Sequence, residues 1–384
     1  MKIDIFIADI EFRTGGTESY FASLFQCLQN LCQKADFSVI TTYIEEEQKL
    51  TPSQLTEKLN NSYGTNIKPN FNIIHVPFKH TGGISVLRVY KWYKNLTKKF
   101  DVSFNCSRNL MISASKMNYS IMHFPMESHT KLNFIKRNKL FIPFALYYDF
   151  LWKKAFNRIL CNSNYTASWV RKIWKVSDRK IRILYPPINL LTPEKEKKRQ
   201  ILVCSRVEPS KSVHVLIKAY LKLHIQDVPL VITGAKLPED EVYYKSLCNL
   251  AGNANIIWRF NPTRNELAAS YKESLLFWHA KGFEVSEEEH PDLLEHFGMT
   301  TAEAMSAGCI PIVVNKGGQR EIVDEGVNGF KWDSIDELVE KTKKVLNLEN
   351  TNSLRENAIN KSKEYSYNTF ATKLEKYIGE TENE

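Results

Sequence analysis

Along nearly the whole chain, short apolar runs alternate with longer stretches patterned for helices, and that alternation leaves few architectures open. IDIFIAD, FSVITTY, FNIIHVPF, DVSFNCS, NYSIMHFP, a short run at RILC and IRILYPPIN form a first series of strand-like segments. ILVCSRV, PLVITGA, NIIWRF, SLLFWHA and CIPIVV form a second. Helical patterns near 18–31, 84–99, 212–223, 239–250, 264–272 and 300–307 lie between many of them. Strands joined through helices pair in parallel, and unbroken Val/Ile runs suit strands covered on both faces. The chain therefore reads as α/β with two Rossmann-like halves. LTPEKEKKRQ, residues 191–200, is charged and without periodicity, and is the expected linker. Residues 45–70 read as a polar stretch.

Several positions carry chemistry. Gly15, Gly16 and Thr17 stand between the first strand and a helix, where a glycine turn can present backbone N–H groups to an anion. Two glycines are fewer than a dinucleotide fingerprint needs. His123 closes a strand ahead of Pro125, at the end of a strand where α/β sheets place ligand contacts. Arg206 ends the first strand of the second series and Lys211 starts the helix after it. Such a pair can clamp a diphosphate, Arg as a planar fork and Lys as a point charge.

The densest stretch is EHFGMTTAEAMSAGCIPIVVNKGGQREIVDEGVNGFK, residues 295–331. Glu295 precedes a helix and Glu303, eight residues on, lies on its body. Gly298 lets a ligand approach the backbone, and the N–H groups of Met299, Thr300 and Thr301 fall at the helix start, where no intrahelical acceptor exists. Two carboxylates flanking an anion site match a ligand with hydroxyls, a diphosphate and more hydroxyls: a sugar-nucleotide.

With EHFG, EAMSAG, CIPIVV, GGQREIV and the passage CNSNYTASWVRKIW…ILYPPI, the chain resembles the family 4 retaining glycosyltransferases. The resemblance implies a GT-B fold, two Rossmann-like domains facing across a cleft. Residues 1–190 would form an acceptor domain, joined by a returning C-terminal helix at 366–384, and residues 191–365 a nucleotide-sugar donor domain. It further implies that Glu295 touches the donor sugar, Glu303 holds the ribose hydroxyls, and Arg206 and Lys211 bind the diphosphate. His123 would lie near the reacting oxygens, and Gly15, Gly16 and Thr17 near donor phosphate. Gly298, Met299 and Thr300 would meet the phosphate, and the turn at Phe260 and Asn261 the base. Ser212 stands where the family has Gly after the Lys. IMHFP and ILYPPI are also similar to the α-1,2-mannosyltransferases of N-glycan precursor assembly, which makes GDP-mannose the expected donor and UDP-sugars the next choice. A degenerate GT-B subunit, binding nucleotide-sugar or a partner without turnover, is the alternative.

Charge and cysteines bound the partners. The net charge is +9, but residues 1–190 hold 27 Lys/Arg against 13 Asp/Glu, and residues 191–384 hold 25 against 30. The basic half suits an acidic partner. No nucleic-acid module is recognisable, which leaves an anionic membrane surface or a phosphorylated lipid; the resemblance implies a glycan or lipid-linked sugar acceptor. Residues 131–158, basic at both ends and aromatic between, could lie in a membrane interface but are interrupted by Pro143 and Asp149. Seven cysteines without a CxxC pair fit reduced thiols, hence a cytoplasmic protein, peripheral on the membrane's inner face. No cofactor is expected. No Asp-x-Asp motif is present, so no donor-bound metal is implied. His290, His296 and the acidic residues of GFEVSEEEHPDLLEH lack a metal-ligand spacing, and the insert at 283–294 is expected to be a solvated lid.

Overall fold

A computed structural model describes residues 1–7, 15–79, 84–106, 113–125 and 154–382. By its internal contacts the chain forms two units, Met1–Tyr185 with Phe370–Glu384, and Pro186–Thr369.

The first unit is built on a seven-stranded sheet: β1 (Lys2–Ile7), β2 (Asp36–Thr41), β3 (Phe71–His75), β4 (Val102–Asn105), β5 (Met117–Met122), β6 (Arg158–Cys161) and β7 (Ile181–Ile183). The order is β3-β2-β1-β4-β5-β6-β7, with every pair parallel. The helix Gly16–Leu31 follows β1 and buries Tyr20, Phe21, Leu24, Phe25 and Leu28. Its side chains continue onto the sheet through Phe25, whose ring lies edge-on to Phe37 and Phe71. Ser163 caps the helix Asn164–Trp174 by accepting from Thr166 N at 3.0 Å. The C-terminal helix Tyr367–Glu382 is tied to this unit by Tyr377 Oη donating to Ile183 O at 3.0 Å and an Arg182–Glu380 pair at 3.0 Å.

The second unit repeats the plan with six strands: β8 (Lys198–Cys204), β9 (Leu230–Gly234), β10 (Ile256–Phe260), β11 (Ser274–His279), β12 (Ile310–Val314) and β13 (Phe330–Trp332). Their order is β10-β9-β8-β11-β12-β13, again parallel throughout. In both sheets the winding reverses beside the first strand of the series, at β1/β4 and at β8/β11. In such sheets ligands bind at the strands' carboxyl ends, at that reversal.

Two local readings change. The stretch 45–70 contains a helix, Pro52–Tyr63. Only Leu55, Thr56 and Leu59 are buried on it, so its apolar stripe is faint in the sequence. What starts it is a capping box: Thr51 Oγ1 accepts from Gln54 N, Gln54 Oε1 accepts from Thr51 N at 2.9 Å, and Pro52 occupies the first turn. The expected linker at 191–200 lies inside the second unit, and its last residues open β8. Residues 131–153 of the basic, aromatic run fall outside the described residues. Among the described residues no helix is long and apolar enough to cross a membrane. All seven cysteines are free thiols, five of them buried.

One buried carboxyl sets a pH dependence. Asp4 is fully buried on β1, beside Ser103 in the β4 register. Ser103 Oγ donates to it and meets Ser115 Oγ, which in turn donates to Thr97 O at 2.8 Å. Burial pushes the Asp4 carboxyl up to about 8, against the lowering effect of the two serines. The folded state thus keeps a proton that the unfolded chain releases near pH 4, so stability falls as pH rises from there to about 8. The Asp4→Asn variant is expected to flatten that part of the curve, read as melting temperature from pH 5 to 9. A slope identical to wild type would refute the assignment.

Candidate active site

The second unit gathers its charged residues where its sheet reverses. β8 leads through Ser205 and Arg206 to a short 3-10 turn, Pro209–Lys211, and then to the helix Val213–Leu223. Ser212 joins turn to helix in the left-handed region, at φ 55°. Such a backbone favours Gly, and a Cβ there costs about 1–2 kcal/mol. The geometry thus suits the Gly that the resemblance implies at this position, and this chain carries Ser there with Lys211 beside it.

Glu295 is the hub. Its Oε2 lies 3.5 Å from Lys211 Nζ, 3.6 Å from His279 Nε2 and 3.7 Å from Lys281 Nζ. His279 ends β11 and Lys281 follows two residues later, so cations come from both sides of the β8/β11 reversal. Burial by itself would raise the Glu295 carboxyl. Lys281, Lys211 and a hydrogen bond from His279 together outweigh it and hold the carboxyl well below the usual carboxylate range. Burial lowers His279 below its ordinary value, against the pull of Glu295. Arg206 is more exposed and pairs with Glu208 at 3.0 Å, a carboxylate that also accepts from Ser210 Oγ at 2.6 Å.

Glycines place this carboxylate. Gly318 N donates to Glu295 O at 2.8 Å. A Cβ on Gly317 would stand 2.4 Å from Glu295 O, and one on Gly318 2.4 Å from His296 O. The paired glycines of GGQREIV therefore let two backbones touch. Gly298, at φ 118°, caps the helix Met299–Ser306 and rests against the buried amide of Gln319. Met299 and Thr300 occupy the first turn, where backbone N–H groups have no intrahelical acceptor.

Glu303 lies one turn further along. Tyr271 Oη donates to its Oε2 at 3.1 Å. Burial lifts the Glu303 carboxyl to about 7, with Tyr271 and Arg264 opposing. Phe260 ends β10 among Tyr244 and Trp258, at ring distances of 5.0 and 5.7 Å. Asn261 is left-handed at φ 49°, and its side chain clasps both N and O of Lys236. Asn261 N also donates to Gly234 O at 2.9 Å, so both its side chain and its N–H are committed to the loop.

The remaining expected residues belong to the first unit. Gly15 and Gly16 are exposed at the start of the helix Gly16–Leu31, with Thr17 partly buried beside them; residues 8–14 of that turn lie outside the described residues. His123 follows β5, its ring edge-on to Tyr20 at 5.2 Å and its carbonyl accepting from Thr166 Oγ1 at 3.0 Å. The insert expected to act as a lid is anchored. Lys316 Nζ donates to Gly282 O, Phe283 O and Val285 O at 3.2, 2.7 and 2.8 Å, Arg320 pairs with Glu287, and Leu294 is fully buried. His279, Lys281 and Tyr271 were not singled out from sequence. The available signal was HAK closing the apolar run LLFW at the carboxyl end of a strand.

A doubly wound domain with clustered cations, a helix start and two carboxylates has the chemistry to hold a polyanion bearing hydroxyls. Residues 192–365 match the model of the family Glycosyl transferases group 1. The fold class is GT-B. A glycosyltransferase structure from Rickettsia africae superposes over 99% of this chain and 98% of its own, with a TM-score of 0.72 at 17% identity. Anabaena Alr3699/HepE in complex with UDP and glucose covers 99% and 100%, with a TM-score of 0.68 at 15% identity. In sequence, the GDP-Man:Man(3)GlcNAc(2)-PP-Dol alpha-1,2-mannosyltransferase of Xenopus laevis is 27% identical over 239 residues, 56% of this chain and 46% of that protein. The alpha-1,3/1,6-mannosyltransferase ALG2 of Mus musculus is 27% identical over 249 residues, 58% of each. The chain spans about half the length of the curated relatives it matches.

Proposed function

We propose that this chain is a retaining glycosyltransferase that moves a hexose from a nucleotide-sugar to a glycan or lipid-linked acceptor. The observation that carries this is the Glu295 carboxylate, kept ionised by Lys211, His279 and Lys281 beside the Gly298 helix start, with Glu303 eight residues on. Arg206, Lys211 and the N–H groups of Met299 and Thr300 meet the charge that develops on the leaving diphosphate. Glu295 accepts from sugar hydroxyls and Glu303 from the ribose. The bond between the anomeric carbon and the diphosphate oxygen breaks as the acceptor oxygen bonds to the same face, and the departing phosphate takes the acceptor's proton. His123, Gly15, Gly16 and Thr17 serve the acceptor side. Protein cations neutralise the diphosphate, so no metal is required. GDP-mannose is the favoured donor, supported by the named activities of the Xenopus and mouse relatives; the HepE complex with UDP-glucose keeps UDP-sugars second. The enzyme works in the cytoplasm, at an anionic membrane surface.

A thermal-shift series with GDP, UDP, GDP-mannose and UDP-glucose, with and without EDTA, followed by a donor-consumption assay, tests the reading. A shift with one nucleotide family, indifferent to EDTA, together with release of that diphosphate, supports it. Binding without consumption would favour a degenerate subunit, and no shift with any of the four would remove the donor site.

Glu303 adds a pH signature. A carboxylate is a stronger acceptor for ribose hydroxyls than a carboxylic acid. Nucleotide affinity is expected to rise about fivefold as pH climbs through the Glu303 value of about 7. Titration calorimetry of wild type and Glu303→Gln from pH 6 to 8.5 checks this. The variant should bind more weakly and lose that component, leaving only the phosphate's own titration; equal pH profiles would contradict the role.

A further inference from the structure

Beyond helping to keep Glu295 ionised, Lys281 has no role in the scheme above, yet its position is built. It is partly buried, two residues past the end of β11. Gly282 follows at φ 90°, and a Cβ there would stand 2.4 Å from the Leu294 side chain. The next carbonyls are held by the Lys316 ammonium. Lys281 therefore projects from a pinned turn. Its ammonium faces the same Glu295 oxygen as Lys211, so one carboxylate oxygen serves two lysines and a histidine. Glu208 is taken up by Arg206. The cluster of Arg206, Lys211 and Lys281 thus carries more positive charge than Glu208 and Glu295 neutralise, and the excess sits at the sheet reversal.

We infer that Lys281 is a third phosphate-binding cation, gripping the donor's diphosphate from the β11 side while Arg206 and Lys211 grip it from the β8 side. Glu295 holds Lys281 in place at 3.7 Å. When a diphosphate arrives, the ammonium turns from Glu295 to the phosphate oxygens, and the carboxylate is released to accept from the donor sugar. Burial and the neighbouring cations lower the Lys281 ammonium below its ordinary value, with Glu295 opposing, so an added dianion gives it the counter-charge it lacks. The inference rests on the donor-site reading above.

The test compares GDP and UDP with guanosine and uridine, and with inorganic pyrophosphate, by titration calorimetry on wild type, Lys281→Met and Lys281→Arg. Lys281→Met should weaken the preferred diphosphate and pyrophosphate about tenfold or more, change nucleoside affinity by less than about threefold, and flatten the salt dependence of binding. Lys281→Arg should recover most of the loss. Retained nucleoside binding shows that the variant is folded. A lysine that only braced Glu295 would give the same diphosphate-to-nucleoside ratio as wild type, and that result overturns the inference while leaving the donor site standing. A wild type that binds no diphosphate at all would overturn both.

Discussion

Turnover by the Glu295→Gln variant is expected to fall by about a hundredfold to a thousandfold, while affinity for free nucleoside diphosphate stays the same or rises. The two effects have opposite signs for one reason. Glutamine keeps the shape of the side chain but removes the charge that Lys211, His279 and Lys281 share. With that charge gone, the lysines lose their protein counter-ion and are freer to bind phosphate. In the proposed scheme, however, the donor sugar loses an ionised acceptor. Because the neighbouring cations hold Glu295 well below the usual carboxylate range, the wild-type group is ionised across any practical assay range, and the loss should be independent of pH. Steady-state kinetics with saturating donor, alongside diphosphate titration, separates the terms. A variant that loses both turnover and diphosphate affinity would mean that Glu295 organises the site rather than serving the sugar.

The Gly318→Ala variant should lose about 3 kcal/mol of stability, equivalent to roughly 6–12 °C in melting temperature for a unit of this size. The added Cβ would lie 2.4 Å from His296 O, 2.6 Å from His296 C and 2.7 Å from Phe297 Cα. All three are backbone atoms, so no rotamer change relieves the clash, and the segment carrying Glu295 must move. Gly318 is not at positive φ, so the cost comes from contact alone. Gly326→Ala is the control: its Cβ would meet nothing within 4 Å, and only its left-handed φ of 71° opposes a side chain, at about 1–2 kcal/mol. Thermal melts that rank Gly326→Ala as the more damaging change would contradict this account. Loss of nucleotide binding in folded Gly318→Ala would show the backbone contact acting on the site.

Most of the architecture was legible because parallel strands leave a strong local trace. Val/Ile-rich runs such as CIPIVV and the LVI of PLVITGA are apolar, as strands covered on both faces must be. The helix Pro52–Tyr63 was missed because its buried surface is small, although its cap was spelled out in TPSQ. Part of β8 was missed because Lys198 and Arg199 at its edge are exposed and read as linker.

The site divided in the same way. Arg206 and Lys211 could be named from their places around a strand-to-helix turn, and Glu295 and Glu303 from their eight-residue spacing around a helix start. His279, Lys281 and Tyr271 could not, because their importance comes from distance to Glu295 and Glu303 rather than from neighbours in the chain. Local pattern thus determined the two α/β halves, the order of their elements and the carboxylates flanking a helix start. Only the tertiary structure decided that cations from β8 and β11 converge on one carboxylate oxygen, and that the paired glycines exist to let two backbones meet. Strand pairing between residues about seventy positions apart creates that electrostatic field, and no local sequence pattern records it.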